Sequence, residues 1–200
     1  MVNFGFGYLC FMAVMIVMWW VATYTKNEKC NGILMCFLDI LPAFLPLFMP
    51  MNSVLGIFII LILYAIISIR VSVGIGGATY LVAYLGLFIT MLCLGNSMSW
   101  LGLFVGLILV TALVLYMFFK TKVDKWTKVG ATIYGYLAIV PLICMGFMTK
   151  NIGFFCLVIG DITLALIQIL KNPSTKKDVH FISNSFFYLG IMLSALSISG

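Results

Sequence analysis

Charge is what this sequence has least of. Only 8% of its 200 residues are charged, with eleven Lys and Arg, five Asp and Glu and a single His. Soluble domains carry about 25% charged residues, so this chain has no means of covering a surface that faces water. Histidine is too scarce for a histidine-based metal site or a nucleophilic triad, and His180 falls in a polar stretch read as a loop. The six cysteines (Cys10, Cys30, Cys36, Cys93, Cys144, Cys156) form no Cys-x-x-Cys pair, and five lie in apolar segments. That is the usage of small core hydrophobes, not of a disulfide framework or a zinc site. No metal or cofactor is expected. The net charge of +6 is confined to short joints, which argues against a nucleic-acid surface.

What fills the chain instead is apolar residues, at 64%, with a mean hydropathy of +1.25. These values predict an integral membrane protein, and a spanning helix needs about 20 apolar residues. Apolar runs divided by short polar joints give eight segments, near 7–24, 32–50, 54–69, 73–94, 101–119, 129–148, 152–170 and 181–198. The expectation is an all-α, polytopic bundle of eight transmembrane helices in one domain, residues 1–200. The first segment lacks a basic stretch before Gly7 and a small-x-small cleavage site, so it reads as a helix and not as a signal peptide.

The basic residues give the bundle a direction. Ten of the eleven lie in the joints after segments 1, 3, 5 and 7: Lys26, Lys29, Arg70, Lys120, Lys122, Lys125, Lys128, Lys171, Lys176 and Lys177. Only Lys150 lies on the other side. The positive-inside rule makes those four joints cytoplasmic and sends both termini out of the cytoplasm, in a multi-pass protein of the cell membrane. Small residues offer close helix approach at Gly102 and Gly106, and at Gly153 and Gly160. Pro42, Pro46 and Pro50 recur every four residues and predict a kinked or divided second segment.

Few residues are equipped for chemistry. Glu28, Asp124 and Asp178 sit in basic joints and read as solvated surface groups. Asp39 and Asp161 lie inside apolar segments, where an ionisable side chain costs at least about 2.5–3.5 kcal/mol and normally turns to the bundle or to a water-filled cavity. On a helix Asp161 shares a face with Leu164, Ala165 and Gln168. It reads either as a carboxyl hydrogen-bonded to a neighbouring helix or as the acid of a functional cavity. Asp39 reads as an ion pair with Arg70 or as a second carboxylate sharing that cavity. Tyr80 and Tyr84, and likewise Asn184 and Tyr188, are four residues apart and either line the interior or are interfacial or core aromatics. The Gly-Ile-Gly-Gly of residues 74–77 lacks the Lys-Ser/Thr and the strand of a phosphate loop, and is read as helix packing.

The order of several stretches resembles a known family. IGDITLAL, a basic joint and FISNSFFYLGIMLSALSI are similar to the carboxy-terminal end of the YhhN family, whose characterised members are lysoplasmalogenases. VGATIYGYLAIVPLICMGF, which contains Tyr134, resembles that family's sixth helix, and VGIGGATYLVAYLGLFI its fourth. The resemblance runs from residue 73 to the end of the chain. It implies hydrolysis of the vinyl-ether bond of a lysolipid, giving a fatty aldehyde and a glycerophospho head group. An acid protonates the vinyl-ether carbon and water adds to the resulting oxocarbenium ion, so buried carboxyl groups suit the reaction. Asp161 matches the family's aspartate in the penultimate helix and is the expected catalytic residue. Asp39, Tyr80, Tyr84, Tyr134, Gln168, Asn184 and Tyr188 are the candidates for binding substrate, and membrane lipids or lysolipids the expected partners.

The sequence also departs from that family. Its other aspartate should fall near Ser68, Ile69 or Arg70, where no carboxylate stands, and its fourth-helix histidine falls at Ala83 or Tyr84. A catalytically incomplete lipid-binding protein of the same fold is therefore the rival reading. A small-solute transporter is a third, although the two halves show no evident repeat.

Overall fold

A computed structural model describes residues 2–41, 53–169 and 173–198. Among the described residues every regular element is helical, and there are eight helices in chain order. They are α1 (Val2–Tyr24), α2 (Glu28–Ile40), α3 (Ser53–Val71), α4 (Val73–Cys93), α5 (Trp100–Lys120), α6 (Lys125–Thr149), α7 (Ile152–Ile169) and α8 (Pro173–Ile198). The middle of α6, Gly135–Ile139, is a π-helical turn. Among the described residues three helices are long and apolar enough to cross a membrane: α4 from Gly74, α5, and α6. Shorter apolar stretches, Cys10–Tyr24, Val54–Ile66 and Ile152–Ile167, occupy α1, α3 and α7.

Among the described residues the all-α expectation holds, and each apolar segment has a helix, the second of them described only as far as Leu41. Several helices start earlier than the apolar runs. α2 begins at Glu28, α6 at Lys125 and α8 at Pro173, because backbone hydrogen bonding continues through polar residues that a hydropathy reading assigns to joints. This corrects the placement of His180, which lies on the helical surface of α8 and not in a loop. Proline opens α8 at the one position where its missing N–H costs nothing. Residues 74–77 are the first turn of α4. A Cβ at Gly77 would meet nothing within 4 Å, and one at Gly74 only the Ser72 hydroxyl at 3.8 Å. The packing reading fails at both. Pro42, Pro46 and Pro50 lie outside the described residues.

Three helices end in the same way. Lys26, Gly95 and Lys150 take positive φ values of 55°, 93° and 52°. The asparagine that follows each donates its backbone N–H to the carbonyl five residues back: Asn27 to Ala22, Asn96 to Met91 and Asn151 to Gly146, at 3.0–3.2 Å. This left-handed ending satisfies carbonyls that the last helical turn leaves open. The asparagine side chains then start or brace the next element. Asn27 accepts from the Cys30 amide at 3.2 Å, and Asn151 accepts from the Gly153 amide at 2.6 Å. The Asn151 amide nitrogen also donates to the Leu193 carbonyl at 2.7 Å, tying the start of α7 to α8.

The chain divides into two compact units, Met1–Ala83 with Ser194–Gly200, and Tyr84–Leu193. In the first, α1 packs on α2, and the Thr23 and Asn31 side chains are joined at 3.1 Å. Met12, Ile16, Trp19, Leu34 and Leu38 are buried there.

The second unit is held by backbone approach at glycines. A Cβ on Gly102 would sit 2.9 Å from the Cys144 Cα, one on Gly106 3.3 Å from the Val140 Cα, and one on Gly135 2.9 Å from Val110. These contacts seat α5 against α6 in antiparallel register. Gly146 of α6 lies under the Phe155 ring of α7, which also meets Phe147 edge-on at 5.4 Å between centroids. A Cβ on Gly190 of α8 would sit 2.9 Å from the Leu157 backbone nitrogen. Lipid tails are as apolar as leucine, so shape and close contact must hold such helices together.

Gly102→Ala therefore forces a methyl group against backbone that cannot turn aside. It should destabilise the detergent-solubilised protein by about 1–3 kcal/mol, the usual range for overpacking. At Gly130 the same change meets nothing within 4 Å and should stabilise by about 0.5–1 kcal/mol through helix propensity. Thermal unfolding followed by circular dichroism reads both. Equal effects at the two positions would refute the close-contact account.

Candidate functional site

The site is built on α7. Phe154, Leu157, Val158 and Asp161 follow one another at helical spacing, and all four are buried. Beyond Asp161 the same face opens, since Leu164 is partly exposed and Ala165 exposed. Asp161 thus closes the buried stripe, with only 4% of its surface exposed, and the accessible end of that face is the carboxy-terminal end of α7.

Gly160, the residue before it, brings α8 close. A Cβ there would meet the Ser183 carbonyl and the Phe187 ring at 3.3 Å. The Ser183 hydroxyl donates to the Gly160 carbonyl at 2.9 Å. The backbone beside Asp161 is therefore pinned from the side of α8, while its carboxyl is not. Both carboxyl oxygens are buried, and among the described residues neither makes a well-formed hydrogen bond. The reading of Asp161 as a carboxyl hydrogen-bonded to a neighbouring helix is met in part, by the Tyr134 hydroxyl of α6, though without a well-formed bond. A buried polar group without a partner costs about 1–3 kcal/mol, and native structures carry few of them.

Among the described residues, Tyr134 of α6 acts on this carboxyl across the helix interface. It lies near enough to interact through its hydroxyl, although no well-formed hydrogen bond is made. Tyr134 is the last residue before the π turn, in which the Val140 N–H reaches back to the Gly135 carbonyl. Pro141 supplies the physical reason for that turn. It has no N–H, and its ring crowds the carbonyl four residues back in a regular helix. One wide turn accommodates the ring and rotates everything before it by about 100°, the angle of one helical residue. Single π turns of this kind occur frequently at functional sites. Sequence reading named Tyr134 but not the turn, whose signal was the proline inside GYLAIVP.

The other candidates fall as follows. Tyr84 and Tyr188 are buried in the second unit and Asn184 is partly buried there. Asp39 and Tyr80 are buried in the first unit. The buried positions of Tyr80, Tyr84 and Tyr188 make them core residues and not interfacial aromatics. The side chains of Gln168 and Arg70 lie outside the described residues, and with them the polar track below Asp161 and the Asp39–Arg70 pair. Ser68, near the position where the resembled family has its second aspartate, is buried. Among the described residues no cluster of His, Cys, Asp and Glu could hold a metal ion. The arrangement thus offers one buried carboxyl, one adjacent phenol and an approach from the end of α7. No family model, no curated protein and no solved structure matches the chain.

A carboxyl without a well-formed hydrogen bond contributes little to the fold that its removal would forfeit. Asp161→Ala should leave thermal stability unchanged or raise it, by up to about 3 kcal/mol. Breaking a buried ion pair would instead cost about 3–5 kcal/mol. A loss of that size on differential scanning fluorimetry would show that Asp161 is a structural partner.

Proposed function

We propose that the chain is a multi-pass membrane protein of eight spans and YhhN-like fold that hydrolyses the vinyl-ether bond of a lysolipid. Asp161 is the acid. The observation that carries this reading is a buried carboxyl whose oxygens make no hydrogen bond, at the point where the buried face of α7 gives way to an exposed one. Such a group is costly in an apolar bundle and is retained for chemistry more readily than for packing.

One carboxyl can carry the cycle. The protonated Asp161 delivers its proton to the vinyl-ether carbon remote from oxygen, leaving an oxocarbenium ion and a carboxylate. Water adds to the cationic carbon and yields its proton to that carboxylate, restoring the acid. The resulting hemiacetal divides into a fatty aldehyde and the free hydroxyl of the glycerophospho head group. No second aspartate is needed, which accommodates the absence of a carboxylate at residues 68–70. Tyr134 is a positioning residue that keeps the carboxyl turned toward the approach from the end of α7. That same absence also favours the second reading, a lipid-binding protein that performs no hydrolysis.

Purified protein should release aldehyde from a panel of lysoplasmalogens and no fatty acid from the matching ester lysolipids. Asp161→Asn keeps shape and removes the acid; it should abolish aldehyde release while lysolipid binding persists. Tyr134→Phe should lower kcat more than it changes KM. Binding without aldehyde from the unaltered protein would establish the lipid-binding reading, and uptake by proteoliposomes without either would favour a transporter. An Asn variant with normal turnover would remove Asp161 from the mechanism.

The eight-span topology has its own test. Ser97, Lys122 and Lys176 are exposed. In a cysteine-free background, cysteines at 122 and 176 should label only from the cytoplasm and a cysteine at 97 only from outside. Labelling of 97 and 122 from one side would overturn both the count and the orientation.

A further inference from the structure

The joint between α5 and α6 carries four lysines against one aspartate, in residues 120–128. The structure gives two of these five charges an internal task. Lys128 turns back and donates to the Phe118 and Thr121 carbonyls at 3.2 and 3.0 Å, closing the end of α5, with its ammonium 5.5 Å from the Phe118 ring centre. Asp124 accepts from the Thr127 amide at 3.0 Å and from the Thr127 hydroxyl, capping the start of α6. Those bonds hold its carboxyl below the ordinary carboxylate range. It remains ionised and engaged at neutral pH, turned to its own helix. Lys120, Lys122 and Lys125 are left exposed.

Beside them stand two of the most exposed aromatic side chains of the second unit, Trp126 at 82% and Phe119 at 80%. The helices on either side, α5 and α6, are two of the three long and apolar enough to cross a membrane. Exposed Trp at the end of a spanning helix marks the depth of the lipid head groups. Three free ammonium groups at that depth meet phosphate, and juxtamembrane basic clusters attract anionic lipid.

We propose that the α5–α6 joint is a binding site for the phosphate of an anionic phospholipid head group, held by Lys120, Lys122 and Lys125, with Trp126 and Phe119 seated among the upper acyl carbons. The amino terminus of α6 does not hold the anion, because Asp124 already occupies it. Lys128 does not either, because it closes α5. This lipid is a bound neighbour and not the hydrolysed substrate, so the site stands whether or not the protein is an enzyme. It rests only on α5 and α6 spanning the membrane.

The test reconstitutes the full chain in phosphatidylcholine nanodiscs with traces of spin-labelled phosphatidylglycerol or spin-labelled phosphatidylcholine, and compares the immobilised fraction of each. Phosphatidylglycerol should be preferred. The Lys120→Gln/Lys122→Gln/Lys125→Gln variant should lose about fivefold of that preference per lysine. Lys150→Gln and Lys176→Gln/Lys177→Gln should retain it. Raising the salt concentration should weaken the preference of the unaltered protein, which tests the charge contribution even if the triple variant fails to fold. No preference in the unaltered protein, no effect of the triple change in a folded variant, or insensitivity to salt would each overturn the site. Inorganic phosphate that displaces the labelled lipid beyond chloride of equal ionic strength would reassign the lysines to a soluble phosphate and also overturn it.

Discussion

Helix contact at glycine is the constraint on which the second unit rests. A chain with so few charges has little besides shape to hold its helices in register, and the backbone must satisfy its own hydrogen bonds wherever water is excluded. Gly102, Gly106 and Gly135 bring α5 and α6 together, Gly146 brings in α7, and Gly160 and Gly190 add α8. Each of these positions faces a specific partner, so the register leaves little freedom. The asparagine-led joints at Asn27 and Asn151 then connect helices that pack on one another, α1 with α2 and α6 with α7.

Asp161 takes its character from that packing. With Gly160 pinned to Ser183, the carboxyl is buried near the Tyr134 hydroxyl and, among the described residues, makes no well-formed hydrogen bond. Tyr134 stands immediately before the π turn of α6, which accommodates Pro141. Rigid backbone around an unsatisfied acid is the reverse of what stability alone would select. Catalytic groups have the opposite requirement, since their hydrogen-bonding capacity must be kept for the substrate. The α5–α6 joint shows a related division of labour, in which two charges complete helix ends and three remain free for a partner.

Much of the fold was legible because apolar length and short polar joints are one-dimensional signals. Among the described residues each apolar segment carries a helix, and Gly102, Gly106 and Gly160 were already marked as points of close approach. Asp161 stood out because a carboxylate in an apolar run has no cheap explanation. The misreadings share one cause. Hydropathy locates apolar stretches and not hydrogen-bonded turns, so the polar starts of α2, α6 and α8, with His180 on the last of them, were assigned to joints. The glycines of residues 74–77 resembled packing residues, and only the neighbouring helices could show that Gly74 and Gly77 face open space.

The sequence by itself determined that this chain is helical and apolar, where its helices lie, and that Asp161 is its anomalous residue. Those properties depend on residues near one another in the chain. Whether a buried carboxyl has a partner depends on side chains 27 residues away on another helix, as Tyr134 is from Asp161, and on the rotation that a wide turn imposes. Which lysines of a basic joint are free depends likewise on where one ammonium finds a carbonyl to close. Only the tertiary structure decided these points, because helix rotation and side-chain reach are set by packing and leave no periodic trace in the sequence.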